Sequence, residues 1–82
     1  MKLNYEVRNG PVTRSVEYVD SSGRILFTFD IDGPAILLEL SPNSDAVRYR
    51  NAALAVCDFL KKKLGSEVRF WPDDFWATMG GA

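Results

Sequence analysis

Eighty-two residues allow one domain, because two independently stable units of about 41 residues each would need metals or disulfides to hold them. The chain has no histidine and one cysteine, Cys57, which excludes an intramolecular disulfide, a Cys/His zinc site and histidine acid–base chemistry. Ten basic against eleven acidic residues give a net charge of -1, which disfavours the broad basic surface of a nucleic-acid binder, while 46% hydrophobic and 12% aromatic residues support a packed core.

Met1, Lys2 and Leu3 lead into an alternating pattern and not into an apolar run, so no secretory leader is expected. No segment approaches the roughly 20 apolar residues that a bilayer span needs. A lone thiol suits a reducing compartment. These features predict a cytoplasmic protein with no membrane partner.

The first 40 residues alternate with a period of two. Asn9-Gly10 is a two-residue hairpin signal, since a type I′ turn needs φ above zero at both central residues. It sets Leu3 opposite Val16, Tyr5 opposite Arg14 and Val7 opposite Val12. Pro11, lacking an N–H, is a weak point at the start of the second strand. The next break is Asp20-Ser21-Ser22-Gly23, which pairs Val19 with Arg24, Tyr18 with Ile25 and Val16 with Phe27. Asp32-Gly33 is taken as the third turn. It predicts Phe29 opposite Ile36, Phe27 opposite Leu38 and Ile25 opposite Leu40.

These turns, chosen on turn chemistry alone, gather one apolar set on one sheet face: Leu3, Tyr5, Val7, Val12, Val16, Tyr18, Ile25, Phe27, Phe29, Ile31, Ile36, Leu38 and Leu40. A one-residue slip would split the set across both faces. Arg14 is the exception, with its stem along Tyr5 and Phe29 and its head in water. The opposite face is mostly polar, and Lys2 falls opposite Glu17. Val19, Leu26 and Leu37 interrupt it, and in this register Leu26 and Leu37 are near-diagonal neighbours able to seed a contact patch.

Ser41-Pro42-Asn43-Ser44 is loop and cap material, with Ser41 or Ser44 as the N-cap. From about Asp45 to Leu64 the period becomes 3.6. Ala46, Tyr49, Ala53, Val56, Cys57, Leu60 and Leu64 form one stripe, and Gly65 supplies the stop. Cys57 on that stripe is expected to be a core thiol. Phe59 points away from the stripe and needs cover from the C-terminal segment or from a second molecule. Lys61, Lys62 and Lys63 suit the negative end of the helix, or an acidic partner.

Ser66 to Trp71 forms a short fifth strand, with Val68 and Phe70 on one face and Glu67, Arg69 and Trp71 on the other. It can lie parallel to the fourth strand or antiparallel to the first. Pro72 stops it, and Asp73 caps a short aromatic turn carrying Phe75, Trp76 and Met79. Residues 80–82 are expected to fray. The expected fold is therefore α+β: a four-stranded antiparallel meander, one long helix on its apolar face, a short fifth strand and a C-terminal aromatic turn.

Chemistry-bearing motifs are sparse. Asp32-Gly33 is a turn before it is an active site, Asp73 is a cap, and the glycines at 10, 23 and 33 fall in hairpins and not in a phosphate loop. No cofactor, metal or catalytic residue is assigned. The expected function is a non-enzymatic interaction module: an adaptor, an inhibitor or immunity-type protein, or a homodimerising accessory subunit. Its partner is another protein or a second copy. Contact candidates are Trp71, Phe75, Trp76 and Phe59, or Leu26 and Leu37 on the open sheet face, because one helix cannot cover so many large apolar residues. The competing expectations are a ligand-binding or catalytic pocket at Arg14, Tyr18 and Tyr49, and nucleic-acid binding through the open face. The mixed charge of that face argues against the second.

Overall fold

A computed structural model describes residues 1–7 and 12–75, with side chains placed outside 4–7 and 12–13. The Asn9-Gly10 bend, Pro11, Trp76, Met79 and the 80–82 tail lie outside the described residues.

The fold is α+β, as the alternation predicts. Strands β1 (Lys2–Val7), β2 (Val12–Asp20), β3 (Gly23–Asp32) and β4 (Ala35–Glu39) form an antiparallel meander. Helix α1 (Ala46–Leu64) packs across one face, and β5 (Glu67–Trp71) adds a fifth strand. The sheet order is β1-β2-β3-β4-β5, with β5 parallel to β4. That decides between the two placements open to the fifth strand. A parallel neighbour needs a long crossover, and α1 is that crossover.

The first two hairpin registers are as expected, with Leu3 opposite Val16, Tyr5 opposite Arg14, and Val16 opposite Phe27. The β2–β3 turn is tighter than the four-residue loop. Asp20 pairs with Gly23 across Ser21-Ser22, and the Ser22 N–H donates to Asp20 Oδ1 (2.8 Å). Gly23 takes φ 124°, a value L side chains rarely adopt.

The third turn corrects the sequence expectation by two residues. Phe29 lies opposite Leu38, not Ile36, and Asp32 pairs with Ala35 across a Gly33-Pro34 loop. The residues flanking a two-residue loop exchange ladder hydrogen bonds. An Asp32-Gly33 loop would put Pro34 in that flanking position with no N–H to donate. Moving the loop by one residue gives the position to Ala35 and puts Pro34 inside the turn. Gly33 at φ 58° meets the positive φ that a type II′ turn requires at its first central residue. A two-residue shift in pairing leaves every side chain on its expected face.

The described core draws largely on the predicted set in a new register, with Ala52 added and Ile31 left out. Val16, Phe27, Phe29, Ile36 and Leu38 from the sheet meet Tyr49, Ala52, Ala53, Val56, Cys57 and Leu60 from the helix, all buried. Ala52 and Ala53 have no exposed surface, so the helix axis approaches the sheet closely there. Asp45, and neither serine, is the N-cap. Its Oδ1 accepts the Arg48 N–H (3.0 Å), and a carboxylate at the positive helix end is favoured over a hydroxyl. Gly65 closes the helix at φ 68°, donating its N–H to Lys61 O.

Arg48 ties the helix start to the β2–β3 turn. Its Nε and Nη2 reach both oxygens of Asp20 (3.0 and 2.7 Å), and Nη2 also donates to Gly23 O (2.9 Å). The helix runs from this turn toward the start of β5 beside Ala35. Ile31, expected under the helix, is 52% exposed at the end of β3 next to the Gly33-Pro34 loop.

Candidate functional site

The helix covers one face of the sheet and leaves the other open. Alternation in β5 sends Val68 into the core and packs Phe70 against it, while Glu67, Arg69 and Trp71 face outward. Parallel pairing brings Trp71 beside Glu39 and Arg69 beside Leu37. Antiparallel pairing brings Asp30 to the other side of Leu37. Thr28 Oγ1 donates to Glu39 Oε2 (2.9 Å) and holds that carboxylate in place.

Trp71 stands 61% exposed at the centre of this group. A cleft of about 170 Å³ on one side is lined by Asp30, Leu37, Glu39 and Trp71. A second of about 330 Å³ is lined by Leu37, Arg69, Phe70, Trp71 and Asp73. The indole is thus a ridge between two shallow grooves with Leu37 common to both. The Trp71–Pro72 peptide bond is cis. Trp71 O accepts the Leu40 N–H (2.8 Å), which anchors the backbone beneath the ridge.

The surroundings are acidic. Asp30, Glu39 and Asp73 border the two grooves, and Arg69 is the cation among the lining residues. Arg69 is itself 3.6 Å from Glu67. Among the described residues Asp30, Glu39 and Asp73 have no ion-pair partner.

The other contact candidates separate in the tertiary structure. Phe75 is 3% exposed, and its ring centroid is 5.9 Å from that of Tyr49, so it closes the core and offers no contact surface. Its N–H donates to Pro72 O (3.2 Å), which closes a turn over 72–75. Trp76 lies outside the described residues. Leu26 is 57% exposed, but the corrected register removes the Leu26–Leu37 patch. Leu37 faces Asp30, Leu26 faces Glu17, and the Thr28–Glu39 pair stands between them. Leu26 lies four residues from Asp30 along β3, a separation of about 13 Å.

Phe59 is half-buried against the core. It lines a cleft of about 340 Å³ with Ala55, Asp58, Lys62 and Lys63 of the helix and Met1 from the start of the chain. Lys62 there pairs with Asp58 at 3.0 Å, one helical turn back.

The pocket expected at Arg14, Tyr18 and Tyr49 is not among these clefts. Tyr49 is buried, its ring centroid is 5.0 Å from that of Phe27, and its hydroxyl accepts the Ser41 N–H (3.0 Å). Tyr18 packs against the core edge. Cys57 is buried, and burial pushes its thiol pKa up, with nearby Lys61 opposing that shift only in part. An activated thiol needs the reverse. Among the described residues no group of three or more His, Cys, Asp or Glu is placed to hold a metal ion. Among them, too, no helix is long and apolar enough to cross a membrane.

Sequence reading picked out Trp71 and Leu37 separately. It missed Asp30, Glu39 and Asp73 as their neighbours. The available signal was the shared parity of residues 37, 39, 69 and 71, which becomes adjacency once β5 is laid parallel to β4. Comparison with known families, characterised proteins and solved structures finds no match to this chain.

Proposed function

We propose that this chain is a small non-enzymatic protein-binding module that engages another protein through the Trp71 ridge on its open sheet face. The observation that supports this reading is a tryptophan 61% exposed, flanked by two grooves and backed by Leu37. A tryptophan in water with a concave border is the usual form of an interface anchor, because its large area becomes favourable only when a partner covers it. The single buried thiol fits a cytosolic setting.

The less favoured reading is a symmetric dimer through the same face. A two-fold axis brings each surface patch against its own copy. Here that would gather Asp30, Glu39 and Asp73 of both copies into one interface with Arg69 as the offsetting cation in the lining, an excess of like charge that disfavours it.

The test is selection of random peptides displayed on phage against the immobilised protein, with each clone re-measured on Trp71→Ala. Clones that bind the wild type and lose binding to the variant, while its circular dichroism is unchanged, support the proposal. Repeated selections yielding no Trp71-dependent clone overturn it.

A further inference from the structure

Resting on that docking reading, we infer that the smaller groove beside Trp71 is a receptor for a lysine or arginine side chain of the partner. Its volume of about 170 Å³ is below the several hundred cubic ångström typical of small-molecule sites and suits one long side chain. Leu37 is the apolar floor, along which a methylene stem can lie. The indole of Trp71 is the wall, and its π face attracts a cation. Asp30 and Glu39 stand at the rim as acceptors.

Glu39 is already oriented, since Thr28 holds Oε2 at 2.9 Å. Its Oε1 accepts no protein hydrogen bond among the described residues. The two carboxylates lie on adjacent strands, Asp30 across from Leu37 and Glu39 two residues along from it on the same face, so they flank a shared space. Asp32 extends the same sign along β3, while on β5 Glu67 is offset by its ion pair with Arg69. Apolar floor, aromatic wall and two carboxylates match a guanidinium or ammonium head on an aliphatic stem. An acidic or neutral side chain would leave both carboxylates uncompensated on burial.

Three measurements test this. In the phage selection, Trp71-dependent clones should be enriched in arginine or lysine, and their affinity should fall as salt is raised. Trp71-dependent clones that are neutral or acidic overturn the cationic assignment while leaving the docking reading intact. Absence of any Trp71-dependent clone overturns the docking reading beneath it.

The second measurement is titration of the labelled protein with methylguanidinium and with its neutral analogue methylurea, followed by amide and indole NMR shifts. Saturable shifts at the Trp71 indole N–H and the amides of Asp30, Leu37 and Glu39, with methylguanidinium alone, are expected. The double variant Asp30→Asn, Glu39→Gln should weaken binding about three- to tenfold. Trp71→Leu, which keeps apolar bulk and removes the ring, should weaken it about two- to fivefold. Equal shifts with methylurea, shifts shared by exposed carboxylates such as Asp58, or no change in the double variant each overturn the assignment. Sedimentation at micromolar concentration closes the remaining route. A monomer supports a foreign basic partner. Self-association abolished by Lys62→Glu with Lys63→Glu would show that a second copy supplies the cation, which upholds the cationic groove and overturns the foreign partner.

Discussion

Phe75 and Trp71 lie four residues apart and were equal candidates for a contact surface, so truncating each one separates core from interface. Phe75 is 3% exposed and packs at 5.9 Å from the Tyr49 ring, which in turn stands 5.0 Å from Phe27. Phe75→Ala removes the ring packed against Tyr49 and leaves a cavity there. Truncations of buried phenylalanine cost about 3–5 kcal/mol. A chain of 82 residues is expected to have a total stability of roughly 4–12 kcal/mol. The variant should therefore lose a large share of its folded population, with the thermal midpoint falling by at least about 12 °C. Phe75→Leu keeps more of the volume and should cost about 1–2 kcal/mol, which leaves a measurable transition if the alanine variant fails to fold. Trp71→Ala exposes no core and should shift stability by less than about 1 kcal/mol. Urea unfolding followed by circular dichroism reads all three. A Phe75→Ala loss below about 1 kcal/mol, or a Trp71→Ala loss as large as that of Phe75→Ala, would refute the division of labour drawn here.

Three further outcomes are expected. Gly33→Ala has open space for its Cβ but must hold φ 58°, so it should cost about 1 kcal/mol, with Gly33→Asn recovering part of the loss in denaturant titration. Asp20 has its pKa held below the ordinary carboxylate range, chiefly by the hydrogen bonds from Arg48. A depressed folded-state pKa means that its contribution is complete above the unfolded value and is lost as pH falls through the folded one. The pair is partly exposed, so the effect is modest: Asp20→Asn should lower the thermal midpoint slightly at neutral pH, and the gap to the wild type should close as pH falls below about 4. Cys57 should react with a thiol reagent only as the fold opens, so its labelling rate should rise with urea in step with unfolding. Rapid labelling of the native protein would contradict its buried position.

Most of the sheet was legible in the residues themselves. Turn chemistry and two-residue alternation are local properties, and together they set strand order, the apolar face and two of three registers. The third failed at Pro34, because choosing a loop on Asp-Gly alone ignored the missing N–H in the flanking pair. The N-cap moved from a serine to Asp45 for a similarly local reason, the preference of the positive helix end for a charged acceptor.

The site was legible only in fragments. Trp71 announces itself as a large aromatic ahead of a proline, but nothing near it in the chain says that Phe75 turns inward and Trp71 does not. That difference depends on where β5 lies, and β5 lies where a 19-residue crossover delivers it. Sequence by itself determined which side chains share a face, because pleat and helix periodicity act over a few residues. Only the tertiary structure decided which of those faces meets water beside which carboxylates, because pairing between β4 and β5 joins residues about 30 positions apart, and no local rule reaches that far.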